Sequence, residues 1–567
     1  MATRRRRPTK AEQAAARQAE LDAAREQRAA AKRAKRGRAN ERQAFLAATQ
    51  PDVDREALTE AVARIVADAP RPRTRARRAA APMAFPAGDV RRWVPIGPSV
   101  VRRGQAEGRP RVTGRIRDLA VDSTGQRAYA ATAKGGAWYT RDGGSTWDPL
   151  GGWTAANRGA AGGIHTPHAC GTVLVAFDPG GDERLDLVMV GTGEPPGNAP
   201  NESVPGHGGI GVFAAVGPAG AAAGVEPWEA ETGVALLAGA GIYRLARDPN
   251  AIPGKTANPQ RDRVLAATNL GLFLGTRTRV PASGATPQHD EYRWAVHNAG
   301  LSALLGGVVP HVTDVLWLPG DATTPNGVVV VSHRGATAPT QGVAVSTDAG
   351  ATFRSVAFGA SPPVTRSRTS LAAAGNTRVY VLGEQAGPTP DVWQIPTVTV
   401  APPAAPAATA IGGLPANLWP GQRDYDQAIA VDVVGGNDRV YVGGSVVVPG
   451  GGTEWSASLW AFQTAAPPAA PAFAPVPAIS TAGAPPAGDG ADPAGLIGNN
   501  IHGDIHAIRL AGAPGARQVW VGCDGGVYRS DQAGRVNTFR PAMTGLAALE
   551  VGFHAPHPTS SHFGIIG

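Results

Sequence analysis

Polar side chains that could perform chemistry are concentrated near the end of the chain, in the run IHGDIHAI. His502, Asp504 and His506 stand at every second position there, and Asp524 follows on the next predicted strand. Because side chains alternate across a strand, this spacing predicts that the first three point to one face. Such a set could hold a divalent metal, or Asp504 could act as a catalytic acid or nucleophile. We favour a structural role, in which these groups hydrogen-bond to a neighbouring element.

A second candidate carboxylate, Glu194, follows a predicted strand in the run GTGEPPGN, and His207 lies in the loop after it. Glu194 and Asp504 together would suit glycoside hydrolysis, in which one acid protonates the leaving oxygen and the other attacks or activates water. The alternative, which we favour for Glu194, is a loop carboxylate that bonds a glycine-rich turn. The candidates are therefore Asp504 and Glu194 for catalysis and His502, His506, Asp524 and His207 for ligand binding. No metal and no cofactor is predicted.

A short turn pattern indicates which elements must position these residues. In GGAWYTRDGGSTW, its fixed positions are occupied by Thr140, Asp142, Gly144, Thr146 and Trp147. The aspartate can accept backbone N–H bonds within a turn, glycine permits a positive φ, and the aromatic ring packs beneath a hairpin. The same residue types recur at Ser346, Asp348, Gly350, Thr352 and Phe353. The pattern therefore predicts hairpins between strands.

A third copy of the pattern, after CDGGVYRS, is degraded. Ser530 and Gly534 fit, but Gln532 stands where the aspartate is expected, so we predict the strands there and not the turn. With the runs RWVPIGP, GTGE and IHGDIHAI, these hairpins resemble the bacterial BNR/Asp-box repeat proteins, which include sialidases, xyloglucan-cleaving endoglucanases and sortilin-type receptor propellers. The resemblance covers residues 92–567 and implies a β-propeller. It is informative about fold rather than function, because the same hairpin occurs in enzymes, receptors and proteins of no known activity.

Counting strand groups leads to an all-β fold, a single β-propeller of about seven or eight four-stranded blades. Seven complete groups precede the runs EVGFHAPHP and HFGIIG, which predict the first two strands of another blade. The last blade is then one strand short, as expected for a fragment or an irregular closure. We predict that residues 93–97 close the ring by pairing with the C-terminal blade. The Pro/Ala-rich stretches 402–415 and 465–495 are expected to be surface insertions without strands.

The composition agrees with this fold class. The chain has 74 Gly and 50 Pro among 567 residues, and its apolar residues form short Val/Ile/Leu runs between turn-forming residues. No window reaches the roughly 18 consecutive apolar residues that a membrane-spanning helix needs, so no membrane span is predicted. The two cysteines, Cys170 and Cys523, give no disulfide framework, although one bridge between them is conceivable.

The formal charge of +9 is distributed unevenly along the chain. Residues 1–92 contain 23 Lys and Arg against 11 Asp and Glu, a balance of +12, so the remainder carries −3. Residues 1–80 therefore form a basic leader and linker, which we expect to be helical or disordered. The leader has no apolar core or cleavage site of a secretory signal, so we expect either a cytoplasmic protein or export by a route without a signal peptide, and the sequence does not identify the compartment. Its role is open between a solvated tail, attachment to nucleic acid or another polyanion, and an address read by transport or assembly machinery.

Three functions are consistent with this organisation. We favour a recognition module that binds a glycan or protein partner at the propeller face, because every strong motif is a scaffold motif. The alternatives are a glycoside hydrolase that uses acidic residues at the propeller axis, and an exported or injected cargo protein with an N-terminal packaging segment. Sialidase activity is not expected: sialidases of the resembled family have Arg-Ile-Pro, whereas Arg115-Ile116 is followed here by Arg117.

Overall fold

The computed structural model describes most of residues 100–548 and two short strands beyond them. The residues outside this description are 1–99, 102–103, 105, 151–168, 196, 200–201, 205–207, 221–227, 231–233, 252–261, 284–288, 335–341, 361, 364–366, 386–388, 401, 416–417, 420–421, 423, 449–454, 466–471, 477–478, 480–493, 549–553, 557–563 and 567. The chain divides into two compact units, residues 94–550 and residues 1–93 with 551–567. The predicted leader, 1–80, and the predicted closing strand, 93–97, lie outside the described residues.

The unit 94–550 is a seven-bladed β-propeller of four-stranded antiparallel sheets, which confirms the predicted fold class. Blade I contains β1 (Ile116–Val121), β2 (Ala128–Thr132), β3 (Ala137–Thr140) and β4 (Asp148–Pro149). Blade II contains β5 (Cys170–Ala176), β6 (Leu187–Thr192), β9 (Val212–Val216) and β10 (Glu229–Ala230), with the separate hairpin β7 (Gly197–Ala199) and β8 (Glu202–Val204) inserted between β6 and β9. Blade III contains β11 (Ile242–Arg247), β12 (Arg263–Thr268), β13 (Gly271–Val280) and β14 (His289–Val296).

The remaining four blades follow in chain order. Blade IV contains β15 (His311–Leu318), β16 (Val328–Arg334), β17 (Val343–Ser346) and β18 (Arg354–Ser355). Blade V contains β19 (Ser370–Ala374), β20 (Arg378–Gln385), β21 (Thr389–Ile395) and β22 (Thr409–Ala410). Blade VI contains β23 (Ala428–Val434), β24 (Asn437–Val447), β25 (Ser456–Ala465) and β26 (Ala474–Pro475). Blade VII contains β27 (Ile505–Ala511), β28 (Gln518–Cys523), β29 (Gly526–Ser530) and β30 (Arg540–Pro541).

Helices are short in the described part of the chain. They are the α-helix α1 (Ala299–Leu304) and three 3-10 turns, Glu183–Leu185, Pro218–Gly220 and Val234–Leu237. No helix among the described residues is long and apolar enough to cross a membrane. The strands β31 (His554–Pro556) and β32 (Gly564–Ile566) pair with each other in the other unit, so the run that the sequence assigned to a further blade forms a two-stranded sheet.

Apolar packing between neighbouring blades holds the ring together. Six clusters of buried side chains fill the spaces between adjacent sheets, and the largest joins blades VI, VII and I. In it Trp147 of blade I donates its Nε1–H to the carbonyl of Ala542, 2.8 Å away after blade VII. The second strands are buried on both faces because each sheet is covered on two sides, which explains their continuous apolar runs. The four strands of each blade come from one continuous stretch of the chain. Blades VII and I therefore contact each other as neighbouring sheets and do not share a strand.

The hairpins between third and fourth strands have the hydrogen bonds that their residue types predict. The Asp142 carboxylate accepts from the backbone N–H and hydroxyl of Thr146, at 2.8 and 2.6 Å, and from the Thr140 hydroxyl at 2.8 Å. Asp348 makes the corresponding bonds to Thr352 and Ser346. Each turn contains two residues of positive φ, which is why small residues are needed there.

The degraded hairpin of blade VII retains half of this turn. Ser530 Oγ still accepts from the N–H of Gly534, at 3.2 Å, and Ala533 and Gly534 keep positive φ. Without an aspartate, the Thr538 hydroxyl lies 2.6 Å from Ser530 Oγ and closes the turn directly. The strands are present, as predicted, and the turn is better preserved than Gln532 suggests.

The prediction that both Pro/Ala-rich stretches lack strands is wrong. The stretch 402–415 contains β22, which pairs with Trp393 and Gln394, and the stretch 465–495 contains β26, which pairs with Phe462 and Gln463. Each supplies the outermost strand of its blade. An edge strand of two residues needs few backbone donors and tolerates proline, so its composition carries little β signal.

Candidate functional site

The inner strands of five blades share an irregularity that shapes the centre of the ring. The pairing of β1, β5, β11, β15 and β27 with their second strands skips one residue in each case. The skipped residues are Arg117, Gly171, Tyr243, Thr313 and His506, and all five line one axial cavity. A bulge changes the direction in which a side chain points from the one that regular strand pairing would give it. In four of the five blades the bulge therefore places a side chain at the axis, and in blade II the bulged residue is Gly171, which has none.

One end of the ring carries a group that we call the mouth cluster: Arg115, Glu194, Tyr425, Asp504 and Asp524. Arg115, Tyr425 and Asp504 precede their inner strands by one to three residues, while Glu194 and Asp524 follow the second strands β6 and β28. Because neighbouring strands are antiparallel, the starts of inner strands and the ends of second strands lie at the same end of the ring. The topology thus gathers residues from blades I, II, VI and VII.

Arg115 is the centre of the mouth cluster. Its Nε and Nη2 donate to the two carboxylate oxygens of Asp524, at 2.7 and 3.1 Å, in a bidentate pair. Its Nη1 donates to Glu194 at 3.0 Å and to the Tyr425 hydroxyl at 2.7 Å. Planar guanidinium matches carboxylate geometry in this way, and charged hydrogen bonds of this kind are stronger than neutral ones. One side chain therefore joins three blades besides its own.

Glu194 is held ionised at this centre. The Tyr425 hydroxyl donates to the same Glu194 oxygen that Arg115 contacts, and the Glu194 side chain is almost wholly buried. Burial acts to raise the pKa of Glu194, but the charges of Arg117 and Arg115 outweigh it and lower that pKa below its usual range. Glu194 thus makes a contact between blades that its interpretation as a loop carboxylate did not predict.

His506 is neutral and its tautomer follows from its partners. Arg117 Nη1, which can only donate, lies 2.7 Å from His506 Nδ1, so Nδ1 accepts and Nε2–H donates to Asp524 at 2.8 Å. Burial, and then the charge of Arg117, lower the pKa of His506 to about 4. Burial acts to raise the pKa of Asp524, but the His506 bond and the Arg115 charge outweigh it, so Asp524 is ionised.

The pKa of Asp504 is shifted in the opposite direction from that of Asp524. It accepts from the Ser445 hydroxyl at 2.8 Å and has a φ of +61°, a left-handed conformation that costs energy for a residue other than glycine. Burial, and then the charge of Asp524, raise the pKa of Asp504. Asp426, wholly buried beside it, has a pKa raised well above its usual range by burial and by Asp504 and Asp524. The mouth thus places an acid of raised pKa beside a carboxylate of lowered pKa.

The two other predicted candidates are His502 and His207. The His502 ring lies 5.0 Å from the Trp455 ring in an edge contact, and His502 interacts electrostatically with Asp504. His207 lies outside the described residues. The prediction that His502, Asp504 and His506 point to one face of a regular strand is wrong, because β27 begins at Ile505 and His506 is its bulged residue. The site assembles from a turn and a bulge instead.

No group of three His, Cys, Asp or Glu side chains in the described part of the chain is arranged to hold a metal ion. His506 in particular uses both ring nitrogens for Arg117 and Asp524. Both cysteines are buried and free, and burial raises the pKa of Cys170 to about 12.

Four further residues of the site were not predicted from the sequence: Arg115, Arg117, Tyr425 and Asp426. Each occurs just before or within the start of an inner strand. Aligning the starts of the seven inner strands would have put Arg115 and Asp504 in one column, directly before the strand, with Tyr425 two positions earlier. Their partners are up to 409 residues away along the chain, and no local pattern encodes such pairings.

Comparisons with known proteins give structural neighbours only. No protein-family model and no curated protein matches the sequence. The chain is similar to the solved structure of an ancestral GH74 enzyme, with 12% identity over 82% of this chain and 50% of that chain and a TM-score of 0.43. It is also similar to the GH74 xyloglucanase from Xanthomonas campestris, with 15% identity, coverages of 78% and 56% and a TM-score of 0.44. A third similar structure is the GH74 enzyme of Niastella koreensis, with 15% identity over 79% of this chain and 56% of that chain and a TM-score of 0.44. The chain spans about half the length of these enzymes.

Proposed function

We propose that the propeller is a glycan-binding module whose ligand lies across the mouth cluster. The observation that carries the proposal is a row of partly exposed groups, Trp455, His502, Asp504, Asp524 and Arg115, at one end of the ring. An aromatic ring offers a face to the apolar side of a sugar, and fixed carboxylate and guanidinium groups offer hydrogen bonds to its hydroxyls. Since the polar groups are already held by one another, little ordering is required when a ligand binds.

The charge of the site favours a glycan over a protein partner. The centre of a protein interface is depleted in charged residues and enriched in apolar and aromatic ones. In the described part of the chain, none of the large exposed apolar side chains belongs to the mouth cluster; they include Leu185, Val296, Val308 and Val309. A polar ligand matches the mouth better than an apolar surface does.

Hydrolysis of the bound glycan is the second candidate, and one observation favours it. Asp504 has a raised pKa while Asp524 beside it is ionised, and two carboxyl groups with divergent pKa values are what acid and base roles require. The hydrogen bonds of Asp524 weigh against hydrolysis. Its carboxylate accepts two hydrogen bonds from Arg115 and one from His506, so few lone pairs are left for attack on a sugar or for activation of water. We therefore rank binding first.

The discriminating experiment combines a glycan array with release assays on plant and bacterial polysaccharides. Wild type, Trp455→Ala and Asp504→Asn are compared, with Arg184→Gln at an exposed pair as the matched control. Binding without product release, weakened at least about tenfold by Trp455→Ala, supports the module. Release of product that Asp504→Asn abolishes supports the hydrolase. Absence of any glycan signal together with capture of a defined protein would overturn both.

A further inference from the structure

The axial cavity behind the mouth cluster has a volume of about 40 Å³. Since one water molecule needs roughly 10 to 15 Å³ measured in this way, the space is suited to a few waters or to one small ion. The cavity is walled by the bulged residues and by guanidinium groups from blades I, III, V and VII: Arg117, Arg244, Arg368 and Arg509. Two carboxylates, Asp118 and Asp314, also line it, so guanidinium groups outnumber carboxylates in the lining.

Two of these guanidinium groups have no carboxylate partner. Arg244 pairs with Asp314 at 3.0 Å, and Arg509 pairs with Asp118. In the described part of the chain, neither Arg117 nor Arg368 has a carboxylate within ion-pair distance, although both side chains are more than nine-tenths buried. The Nε atoms of both make no hydrogen bond within this part of the structure.

Neutral groups make the remaining contacts of the two unpaired guanidinium groups. Arg117 donates to the neutral His506 and lies 4.6 Å from the Tyr425 ring centroid. Arg368 donates to the Tyr425 carbonyl at 3.1 Å and lies 5.6 Å from the Tyr243 ring centroid. Ring faces and carbonyls attract a cation but supply no counter-charge.

The surrounding ionisable groups leave an excess of positive charge. Burial, and then the charge of Arg117, lower the pKa of Arg368 to about 10, so Arg368 is still charged at neutral pH. Burial and the neighbouring aspartates raise the pKa of Asp426 and so favour its neutral form. Glu194 acts on Arg117 through space but is hydrogen-bonded to Arg115 and Tyr425. Two buried cations that repel each other are costly unless an anion compensates them.

We infer that the axial cavity binds one small anion between Arg117 and Arg368, with the guanidinium N–H groups as donors. The class of ligand is chloride, a carboxylate as small as acetate, or inorganic phosphate, all of which share negative charge and acceptor lone pairs. The site lies behind the mouth cluster and does not depend on glycan recognition. The bound anion would offset the positive charges of Arg117 and Arg368. It would also stabilise the folded propeller, because it binds the folded state and not the unfolded chain.

The test measures the melting temperature of the full chain while sodium chloride, acetate or phosphate replaces sodium gluconate at constant ionic strength. At least one small anion is expected to raise the melting temperature along a saturable curve, and the anion that saturates at the lowest concentration identifies the preferred chemistry. Arg368→Gln and Arg117→Gln are expected to weaken this binding at least tenfold, whereas the exposed Arg184→Gln leaves it unchanged. Identical melting in all four salts, or saturable binding retained in both cavity variants, would overturn the inference.

A second measurement covers the case in which the cavity variants fail to fold. Chlorine-35 line broadening by the folded wild-type protein reports chloride bound in exchange with the solvent. We expect broadening that excess phosphate or acetate reverses. A wild-type protein that neither broadens chloride nor gains melting temperature with phosphate or acetate refutes the site without any variant.

Discussion

Arg115 and Asp524 form a bidentate pair, with N–O distances of 2.7 and 3.1 Å, between the first blade and the last. The residues are 409 positions apart, so the pair joins the two ends of the propeller at its mouth. The same guanidinium also holds Glu194 and Tyr425. Arg115 therefore contributes both to ring closure and to the candidate site.

Replacement of Arg115 by methionine is expected to lower the free energy of unfolding by about 3 kcal/mol, because the buried Glu194 and the partly buried Asp524 would lose the cation that pairs with them. Denaturant unfolding measures the loss. Arg184→Gln, which breaks an exposed pair with Asp182, should cost at most about 1 kcal/mol. Equal effects of the two substitutions would mean that the mouth pair does not stabilise the ring.

Trp147 offers a second test of how the ring closes. Trp147→Ala is expected to cost about 3 to 5 kcal/mol, since it leaves a cavity between blades I and VII. Trp147→Phe fills more of this space and removes the hydrogen bond to the Ala542 carbonyl, so it should cost less than Trp147→Ala. Comparing the two variants by denaturant unfolding separates packing from hydrogen bonding. A loss below about 1 kcal/mol for Trp147→Ala would contradict the packing role.

The hairpin aspartates predict a defined dependence of stability on pH. Burial acts to raise the pKa of Asp348, but hydrogen bonds from Ser346 and Thr352 outweigh it and lower that pKa. The folded state therefore binds this proton less readily than the unfolded chain. Asp348 contributes its full stabilisation at pH values above its ordinary pKa of 3.8. This stabilisation is lost as the pH falls through the lower pKa of Asp348 in the folded state.

Asp348→Asn is the variant that checks this sign. We expect it to be less stable than wild type by about 1 kcal/mol at pH 7, because the ionised acceptor is lost. The difference between the two proteins should shrink as the pH is lowered below about 4. Unfolding by denaturant at a series of pH values gives both curves. A difference that stays constant down to the acid transition would show that Asp348 is not held ionised by its turn.

The leader gives a prediction that is independent of the propeller. We propose that residues 1–80 bind polyanions, since residues 1–92 carry a formal +12. Full-length protein should be retained on heparin at low salt and released as the salt concentration rises, while a variant without residues 1–80 should pass through. Unchanged retention of the shortened protein would exclude this role and leave a solvated tail or an address segment.

The fold was predictable because its evidence is local. The carboxylates of Asp142 and Asp348 accept hydrogen bonds from residues within their own turns, so the residue types and spacing report the turn directly. The outer strands of blades V and VI were missed for the converse reason. Two residues at a sheet edge, Thr409–Ala410 or Ala474–Pro475, leave almost no pattern in the sequence.

The candidate site was predictable only in part. His506, Asp524, Asp504 and Glu194 were found because polar residues next to apolar strands stand out. Their arrangement was not found, because it depends on the bulge at His506, the left-handed backbone at Asp504 and the long-range reach of Arg115. Alternation assumes a regular strand, and the site lies where the strand is irregular.

The most direct test of glycan recognition at the mouth is titration calorimetry with an oligosaccharide that the array selects. Wild type should bind it with measurable heat and without product formation, and Trp455→Ala should weaken the affinity at least about tenfold while its unfolding curve stays close to that of wild type. Binding that is unchanged in a folded Trp455→Ala protein would contradict the account.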